Sequence, residues 1–328
     1  MRAAPPDTAI PYDGKEHRWA QASTTRLNGK LSSLTPTVGL LAFTIWFNKT
    51  TYALRLYDWM NSNYTPWQIN AWGSFIITTA VYWIGGLLFM LADLWDPLFN
   101  LVKPYKLQPD KRVPWKDYRK VLLIVARNQV AVALPLTIAM ATFTPLRTTA
   151  PLPGALETIL VWTWCMLCEE AGFFYVHRVF HHPKLYRHVH KMHHQFTAPV
   201  AFASTYCTVI EHIFSNLMPN VLGVIACKAH WSLMIMFFCG LELGTLSTHS
   251  DFNLPFNYNA LLHDWHHYAY TENFGPTGLL DGIYGTDKNF RTWLAELKKR
   301  EEGSDMVKTA RQDLVAKEDA QVAPNLEL

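Results

Sequence analysis

The chain alternates between long apolar runs and polar segments. The clearest run extends from Ala71 to Ala92, contains no charged residue and is rich in Ile, Leu, Trp and Phe. As a helix it would be about 30 Å long, which matches the hydrocarbon core of a bilayer. Because uncharged runs of this length are rare in soluble proteins, the pattern favours a membrane-spanning helix over a large soluble helical core.

Further apolar stretches repeat this pattern less cleanly, and they cover 38–47, 120–143, 155–176 and 209–246. The first is short for a span, so it either extends back to Leu34 or lies in the membrane interface. The last contains two apolar runs, which could form a helical hairpin. The sequence therefore predicts an all-α integral membrane protein with about four transmembrane helices plus a possible hairpin.

Polarity divides the chain into four predicted segments. They are a polar N-terminal tail (1–33), a transmembrane region (34–168) with a basic loop (93–120), a histidine-rich helical domain (169–295) that includes the membrane hairpin 209–246, and a charged C-terminal tail (296–328). The positive-inside rule places the basic loop in the cytosol. The next two spans would then leave and re-enter the cytosol, so the histidine-rich domain is predicted to face the cytosol.

The composition agrees with a membrane protein and gives no indication of a nucleic-acid partner. Only 17% of the residues are charged, against roughly 25% in typical soluble domains, and the net charge is +3. No basic run is interleaved with aromatic residues in a recognisable motif. Cys165 and Cys168 form a CxxC pair, but no second pair completes a zinc site, so both are interpreted as buried thiols.

Thirteen of the fourteen histidines fall between residues 177 and 267. Most of them form three tight clusters: His177, His181 and His182; His190, His193 and His194; and His263, His266 and His267. In a helix, residues i, i+3 and i+4 share a face, so an HxxHH triplet aims three imidazoles at one point, and two triplets can surround a metal pair. Imidazole suits iron, zinc and copper. These nine residues are therefore predicted to hold two metal ions.

The first cluster leaves one position open. Helical phase favours His181 as the partner of His177, whereas a kink before Pro183 could present His182 instead. Outside the clusters, His249 follows an apolar span and is predicted to be a further ligand. His188 would face away from His190, about 200° round a helix.

The remaining histidines are not expected to bind metal, and acidic residues beside the clusters are expected to orient the ligating histidines. His212 and His230 are expected to be polar residues near the membrane. Ligating histidines usually donate their second ring N–H to a carboxylate or carbonyl oxygen, which fixes the tautomer. The sequence offers four candidates for this supporting role: Glu170, Glu211, Asp251 and Asp264.

The motifs together resemble one enzyme superfamily. The run HRVFHHPKLYRHVHKMHHQFTAP is followed by Glu211, THSDFNLPF, HDWHH, NFG and DGIYGTD, the last at 281–287. This combination, over roughly 170–290, resembles the fatty acid hydroxylase and sterol desaturase superfamily, and its 4-methylsterol oxidase branch in particular. Two features depart from it. Residues 207–210 read Cys-Thr-Val-Ile where many members carry a His-Pro dipeptide, and Thr245 stands where fatty acid hydroxylases carry a histidine.

The resemblance implies a detailed function. It implies two iron ions, dioxygen as oxidant, and electrons from NAD(P)H through a cytochrome b5-type carrier and its reductase at the endoplasmic reticulum membrane. It also implies a ligand at the position of His182 and another at His249. The substrate would be a membrane lipid, with a methylsterol as the leading candidate. Hydroxylation and desaturation both stay open.

Other functions stay open at this stage. The same superfamily chemistry could act on a fatty acyl chain, a terpenoid or a specialised metabolite. Three histidines with an open site also suit a zinc-dependent membrane hydrolase, although the chain has no HExxH motif. A bis-histidine haem carrier would need two axial histidines and would leave most of the clusters unexplained.

Overall fold

The computed structural model describes residues 34–107, 111–196 and 199–300. All the regular secondary structure of these residues is helical, and two isolated bridges, Lys106–Phe252 and Arg147–His230, are the β-type pairings among them. The prediction of an all-α protein is therefore confirmed. The predicted N-terminal tail (1–33) and the part of the predicted C-terminal tail beyond Arg300 lie outside the described residues.

Twelve helices of the described chain are named in chain order. They are α1 Thr35–Asn48, α2 Thr51–Asn63, α3 Pro66–Leu94, α4 Asp96–Val102, α5 Trp115–Phe143, α6 Ala155–Phe180, α7 Pro183–Val189, α8 Val209–Ala226, α9 Trp231–Thr248, α10 Leu261–Ala269, α11 Leu279–Tyr284 and α12 Lys288–Arg300. Short 3-10 turns at His193–Gln195 and Ala201–Thr205 connect the middle of the chain.

Five of these helices, α3, α5, α6, α8 and α9, are long and apolar enough to cross a membrane. The run predicted at 38–47 forms α1, which has 14 residues and is therefore about 21 Å long, too short to cross the hydrocarbon core alone. Both arms of the predicted hairpin, by contrast, are long enough to span. The protein is an integral membrane protein with five candidate spans among its described residues, namely three single helices and both arms of the predicted hairpin.

The five spans alternate in direction, so their ends meet at two levels. At one level the end of α3 contacts the start of α5, where the Tyr118 hydroxyl donates to Asp93 Oδ2 across 2.7 Å. At the other level the start of α9 contacts the segment after α5, where the Trp231 backbone N–H donates to Arg147 O. The ends of α3, α6 and α9 and the starts of α5 and α8 therefore share one side, called the histidine side below.

Small residues allow the spans to pack closely. A Cβ atom added at Gly172 on α6 would lie 2.7 Å from the Pro219 Cβ of α8. On α3, a Cβ atom at Gly85 would lie 2.9 Å from Leu246 Cδ1 of α9. Both distances are shorter than real carbon contacts, so glycine is needed for these approaches, as is common between membrane helices. These two contacts pack α6 against α8 and α3 against α9.

A buried ionic cluster ties the connection between α4 and α5 to the segment after α9. Lys106 Nζ lies 2.8 Å from Asp93 Oδ1 and 3.2 Å from Asp251 Oδ2, and the ammonium sits 4.5 Å from the centre of the Phe252 ring. Burial alone would lower the pKa of Lys106, but the two carboxylates outweigh it and raise that pKa. Lys106 therefore remains charged and fixes the chain two residues after His249.

Candidate metal centre

The histidine side of the membrane bundle collects histidines from four parts of the chain. The last turn of α6, the connection after α7, the end of α9 and helix α10 each contribute. Two groups result, and within each the potential ligand nitrogens all lie within 4.8 Å of one another. The five-histidine group consists of His177, His181, His190, His194 and His266. The four-histidine group consists of His193, His249, His263 and His267.

The two groups divide the sequence clusters between them. In the second cluster His190 and His194 belong to the five-histidine group, whereas His193 belongs to the four-histidine group. In the third cluster His266 is separated in the same way from His263 and His267. The expectation that each triplet aims three imidazoles at one point is therefore wrong. Pairs four residues apart share a face, and the intervening histidine points to the neighbouring group.

The two groups adjoin each other. The imidazole ring centres of His194 and His267, one from each group, are 4.5 Å apart. Those of His193 and His194, which are consecutive in the chain, are 5.6 Å apart. The two groups therefore form one continuous histidine-rich centre.

Hydrogen bonds fix the tautomers of several rings. The Nδ1 atom of His177 lies 2.8 Å from Phe274 O, and that of His266 lies 2.7 Å from Glu272 O. In the four-histidine group, His249 Nδ1 lies 2.8 Å from Thr245 O. A carbonyl oxygen can only accept, so each Nδ1 carries the proton and each Nε2 presents a lone pair.

These lone pairs converge on shared points. His181 Nε2 lies 3.3 Å from His177 Nε2 and 3.1 Å from His266 Nε2. Because His177 and His266 carry their protons on Nδ1, neither can donate from Nε2 in the neutral form. His249 Nε2 and His193 Nε2 approach to 3.3 Å in the other group. Convergent lone pairs at these distances favour a cation at their centre, so the donor sets fit a bound metal ion.

Burial keeps the imidazoles in the form that binds metals. It lowers the pKa of His181, His194 and His263 well below the usual value, and neighbouring histidines add to the effect. Burial also lowers the pKa of His249 to about 4. A protonated ring has no lone pair to offer, so these pKa shifts leave the site ready for a metal at neutral pH.

The position left open in the first cluster differs from what the resemblance implies. His181 is buried and belongs to the five-histidine group. His182 is exposed, and its Nδ1 accepts the backbone N–H of Lys184 at the start of α7. The chain turns out of α6 at this point, which carries His182 away from the centre. His188 is exposed as well and lies beside Arg187.

The four predicted supporting carboxyl groups occupy different surroundings. Glu211 Oε1 lies 2.6 Å from His190 Nδ1, as expected of a group that orients a ligand. Asp251 pairs with Lys106. Asp264 is buried on α10 next to His263. Glu170 is buried and reaches the loop before α11, where it accepts N–H groups from Thr277 and Leu280.

Two further acidic residues, which were not among the predicted supporting residues, hold the segments whose carbonyl groups face the histidines. Asp281 accepts the backbone N–H of Phe274 across 2.8 Å, and Phe274 O is the partner of His177. Glu272 accepts Trp265 Nε1 across 2.9 Å, and its own carbonyl oxygen is the partner of His266. Asp281 lies in the DGIYGTD motif, so that motif was the available signal.

A cavity lies between α6, α8 and α9, next to the histidine groups. Its volume is about 120 Å³. The lining residues are Glu169, Phe173, Thr205, His212, Asn216, Leu217, Asn220, Val221, Phe238, Leu241, Glu242 and Thr245. Phe173 stacks edge-on against the His177 ring with centres 4.9 Å apart, and Thr245 holds His249 through its carbonyl oxygen. The cavity therefore adjoins both groups.

Comparison with known proteins identifies the family. The family model described as fatty acid hydroxylase matches residues 162–286, which contain the three histidine clusters. A fatty acid hydroxylase of Mycosarcoma maydis is 38% identical over 290 residues, which cover 86% of this chain and 74% of that protein. The fatty acid hydroxylase domain-containing protein 2 of Homo sapiens is 30% identical over 277 residues, covering 77% and 81%.

A methylsterol monooxygenase also matches. Methylsterol monooxygenase 1 of Danio rerio is 28% identical over 247 residues, covering 70% of this chain and 82% of that protein. No solved structure matches the chain. The chain belongs to the fatty acid hydroxylase family, and the resemblance predicted from its motifs is confirmed. It is a membrane-bound oxidoreductase whose relatives are hydroxylases and monooxygenases.

Proposed function

We propose that this protein is a non-haem di-iron, dioxygen-dependent oxidase of C–H bonds in a membrane lipid. The observation that carries the proposal is the pair of adjoining histidine groups, in which eight of the nine histidines are buried. The five-histidine group and the four-histidine group would hold one iron ion each. Bound iron would supply the oxidising chemistry, with dioxygen as co-substrate and electrons delivered from outside.

The chain's own residues have three tasks in this proposal. The carbonyl oxygens of Phe274, Glu272 and Thr245 and the carboxyl group of Glu211 hold the imidazole tautomers. Burial keeps water from the ligand nitrogens. The cavity between α6, α8 and α9 would receive part of the lipid beside the centre. Positioning and exclusion of water are what a protein contributes to cofactor chemistry of this kind.

The number of imidazoles favours iron over the alternatives. A catalytic zinc site typically uses three protein ligands and keeps a fourth position open, which would leave most of the nine grouped histidines without a role. A haem with two axial histidines would leave even more of them unexplained. Imidazole-rich sites suit iron, and two neighbouring ions suit activation of a diatomic oxidant.

We propose a sterol, and a 4-methylsterol in particular, as the leading substrate. The similarity to methylsterol monooxygenase 1 of Danio rerio supports it. A fatty acyl chain is the alternative, because the relative in Mycosarcoma maydis is called a fatty acid hydroxylase. Terpenoids and other specialised metabolites belong to the same alternative. Product analysis would distinguish hydroxylation from desaturation.

The proposed setting is the endoplasmic reticulum membrane, with the histidine side facing the cytosol. The basic loop between α3 and α5 lies on the histidine side, and the positive-inside rule places such loops in the cytosol. Electrons would come from NAD(P)H through a cytochrome b5-type carrier and its reductase. A cytosolic centre would be accessible to such a carrier.

The experiment combines metal analysis with an activity assay. Microsomes containing the protein are incubated in air with NADH and a panel of 4-methylsterols, other sterols and fatty acids, and products are identified by mass spectrometry. The expected product gains one oxygen or loses two hydrogens. His193→Ala and His266→Ala, one from each group, should abolish turnover while membrane insertion persists. Full activity of the double variant, or purified protein with zinc or haem in place of iron, would refute the proposal.

A further inference from the structure

The cavity beside the metal centre has several polar and ionisable side chains in its lining. Glu169 of α6 and Glu242 of α9 both line it, and both lie within helices long enough to span the membrane. Ionisable groups at membrane depth are costly and mark substrate or ion sites by default. Their presence in one cavity indicates that this space receives a polar group.

Helix α8, the third helix around the cavity, adds polar side chains that can form further hydrogen bonds. His212 of α8 is 3% exposed, and its Nε2 atom has no hydrogen-bond partner within the described ranges. Asn220 of the same helix has a buried Oδ1 atom that is likewise unpartnered in the described part of the chain. Buried polar atoms in native proteins are normally paired, so these two atoms point to a missing ligand.

The hydrogen-bonding role of His212 can be assigned. Its Nδ1 atom lies 3.4 Å from Asn216 Nδ2, and an amide nitrogen can only donate. His212 Nδ1 is therefore the acceptor, and in the neutral ring the proton sits on Nε2. The cavity then offers one N–H donor from His212, together with acceptor oxygens from Asn220, Glu169 and Glu242.

This combination of groups selects among lipid head groups. A hydroxyl group both donates and accepts, so it can satisfy an acceptor oxygen and the His212 N–H at once. An ammonium group has no lone pair for that N–H. A fatty carboxylate has no proton to donate, so it would leave the buried Asn220 Oδ1 atom unpaired.

We propose that the cavity binds the hydroxyl group of a lipid alcohol and thereby selects alcohols over free fatty acids. The inference rests on the proposed function, because the cavity adjoins both histidine groups through Phe173 and Thr245. A hydroxyl group held among Glu169, Glu242, His212 and Asn220 fixes the lipid in one orientation. A defined part of its hydrocarbon skeleton then lies against the metal centre.

Ligand binding tests this proposal without requiring turnover. Purified, iron-loaded full-length protein in detergent is titrated with a tritiated 4-methylsterol, and the 3-O-methyl ether of the sterol is used as competitor. Hexadecanol, its methyl ether and palmitate form a second competitor set. Each ether keeps the oxygen lone pairs but cannot donate. Loss of one hydrogen bond to a carboxyl group should weaken binding about tenfold.

Variants show whether the cavity causes this preference. One of the two carboxyl groups, Glu169 or Glu242, accepts the hydrogen bond from the lipid hydroxyl. Replacing that residue with Ala should reduce the tenfold ratio of affinities between alcohol and ether towards one. Glu157→Ala is the matched control, because Glu157 lies on α6 but is exposed and pairs with Arg147. It should leave the gap unchanged. Iron content measured on every variant identifies those with a damaged metal centre.

The outcomes separate this proposal from the proposed function. Equal affinity for alcohols and ethers in both sets, or palmitate binding as tightly as hexadecanol, would overturn the alcohol site even if the enzyme oxidises a lipid. An alcohol preference that persists undiminished in both single variants and in Glu169→Ala/Glu242→Ala would also overturn it. Absence of any lipid oxidation, with the alcohol preference intact, would instead count against the oxidase.

Discussion

The carboxyl group of Glu211 lies 2.6 Å from the Nδ1 atom of His190, and both side chains are almost fully buried. In the tautomer that would bind a metal through Nε2, His190 Nδ1–H donates to Glu211 Oε1 and His190 Nε2 faces the five-histidine group. This contact joins the start of α8 to the connection after α7. It makes the orientation of one imidazole depend on a side chain of a membrane-spanning helix.

Glu211→Gln is expected to weaken the metal centre without unfolding the protein. The amide keeps the size of the side chain but is a weaker hydrogen-bond acceptor for the His190 ring N–H. Loss of such a supporting group typically lowers metal affinity or activity about 10- to 100-fold. Iron content after dialysis and turnover under saturating iron measure the two effects. Glu157→Gln, which is exposed on α6, is the control and should match the parent protein.

Substitutions in the first cluster should show which histidine serves the metal centre. His181→Ala removes a member of the five-histidine group, so we expect loss of about half of the iron and of all turnover. His182→Ala removes an exposed side chain that accepts the Lys184 N–H, so it should cost about 1 kcal/mol of stability at most and keep both irons. The iron content per chain, measured by mass spectrometry, shows whether His181 or His182 is the metal ligand. The reverse pattern would favour His182, as the superfamily resemblance implies.

Removal of the metal is expected to lower thermal stability. Without a cation, lone pairs such as those of His177 and His266 converge with nothing between them. A ligand that binds the folded state at 1,000 times its dissociation constant adds about 4 kcal/mol. Melting in detergent should therefore shift downward after chelation and recover when ferrous iron is returned. An unchanged melting temperature would contradict metal binding by these groups.

The metal-free protein should lose stability as the pH falls below about 6.5, the ordinary pKa of histidine. Burial lowers the pKa of His249 to about 4 in the folded state, so between these values the unfolded chain binds protons that the folded chain does not. Stability therefore decreases with falling pH across this window. Melting temperatures measured from pH 7.5 to 4.5 test it. His263→Gln/His267→Gln, which removes two such rings, should give a shallower slope.

Lys106→Met should destabilise the fold more than it affects the chemistry. The substitution leaves Asp93 and Asp251 buried without their shared cation, which typically costs about 3–5 kcal/mol. The yield of folded protein and its melting temperature should fall, while the molecules that do fold keep two irons. Lys116→Met is the comparison, since Lys116 is exposed at the start of α5. Equal stability of the two variants would show that the cluster has no structural role.

The sequence by itself determined the fold class, the membrane location and the family. Long uncharged runs such as Ala71 to Ala92 require a membrane, and hydrogen bonding within lipid then requires helices. The clustering of histidines was also visible in the sequence, because three closely spaced groups of histidines are not typical of an ordinary protein surface. These properties are local in the chain, so they needed no knowledge of which segments meet.

The tertiary structure decided how the histidines are shared and what surrounds them. Helical phase places residues three and four apart on one side of a helix, but only the packing of the other segments shows that His193 and His194 belong to different groups. The supports from Glu272 and Asp281 act through backbone carbonyl groups of a loop, which no side-chain pattern encodes. The polar cavity exists because α6, α8 and α9 each contribute one face. Long-range packing brings these residues together, and packing is what the linear sequence leaves unstated.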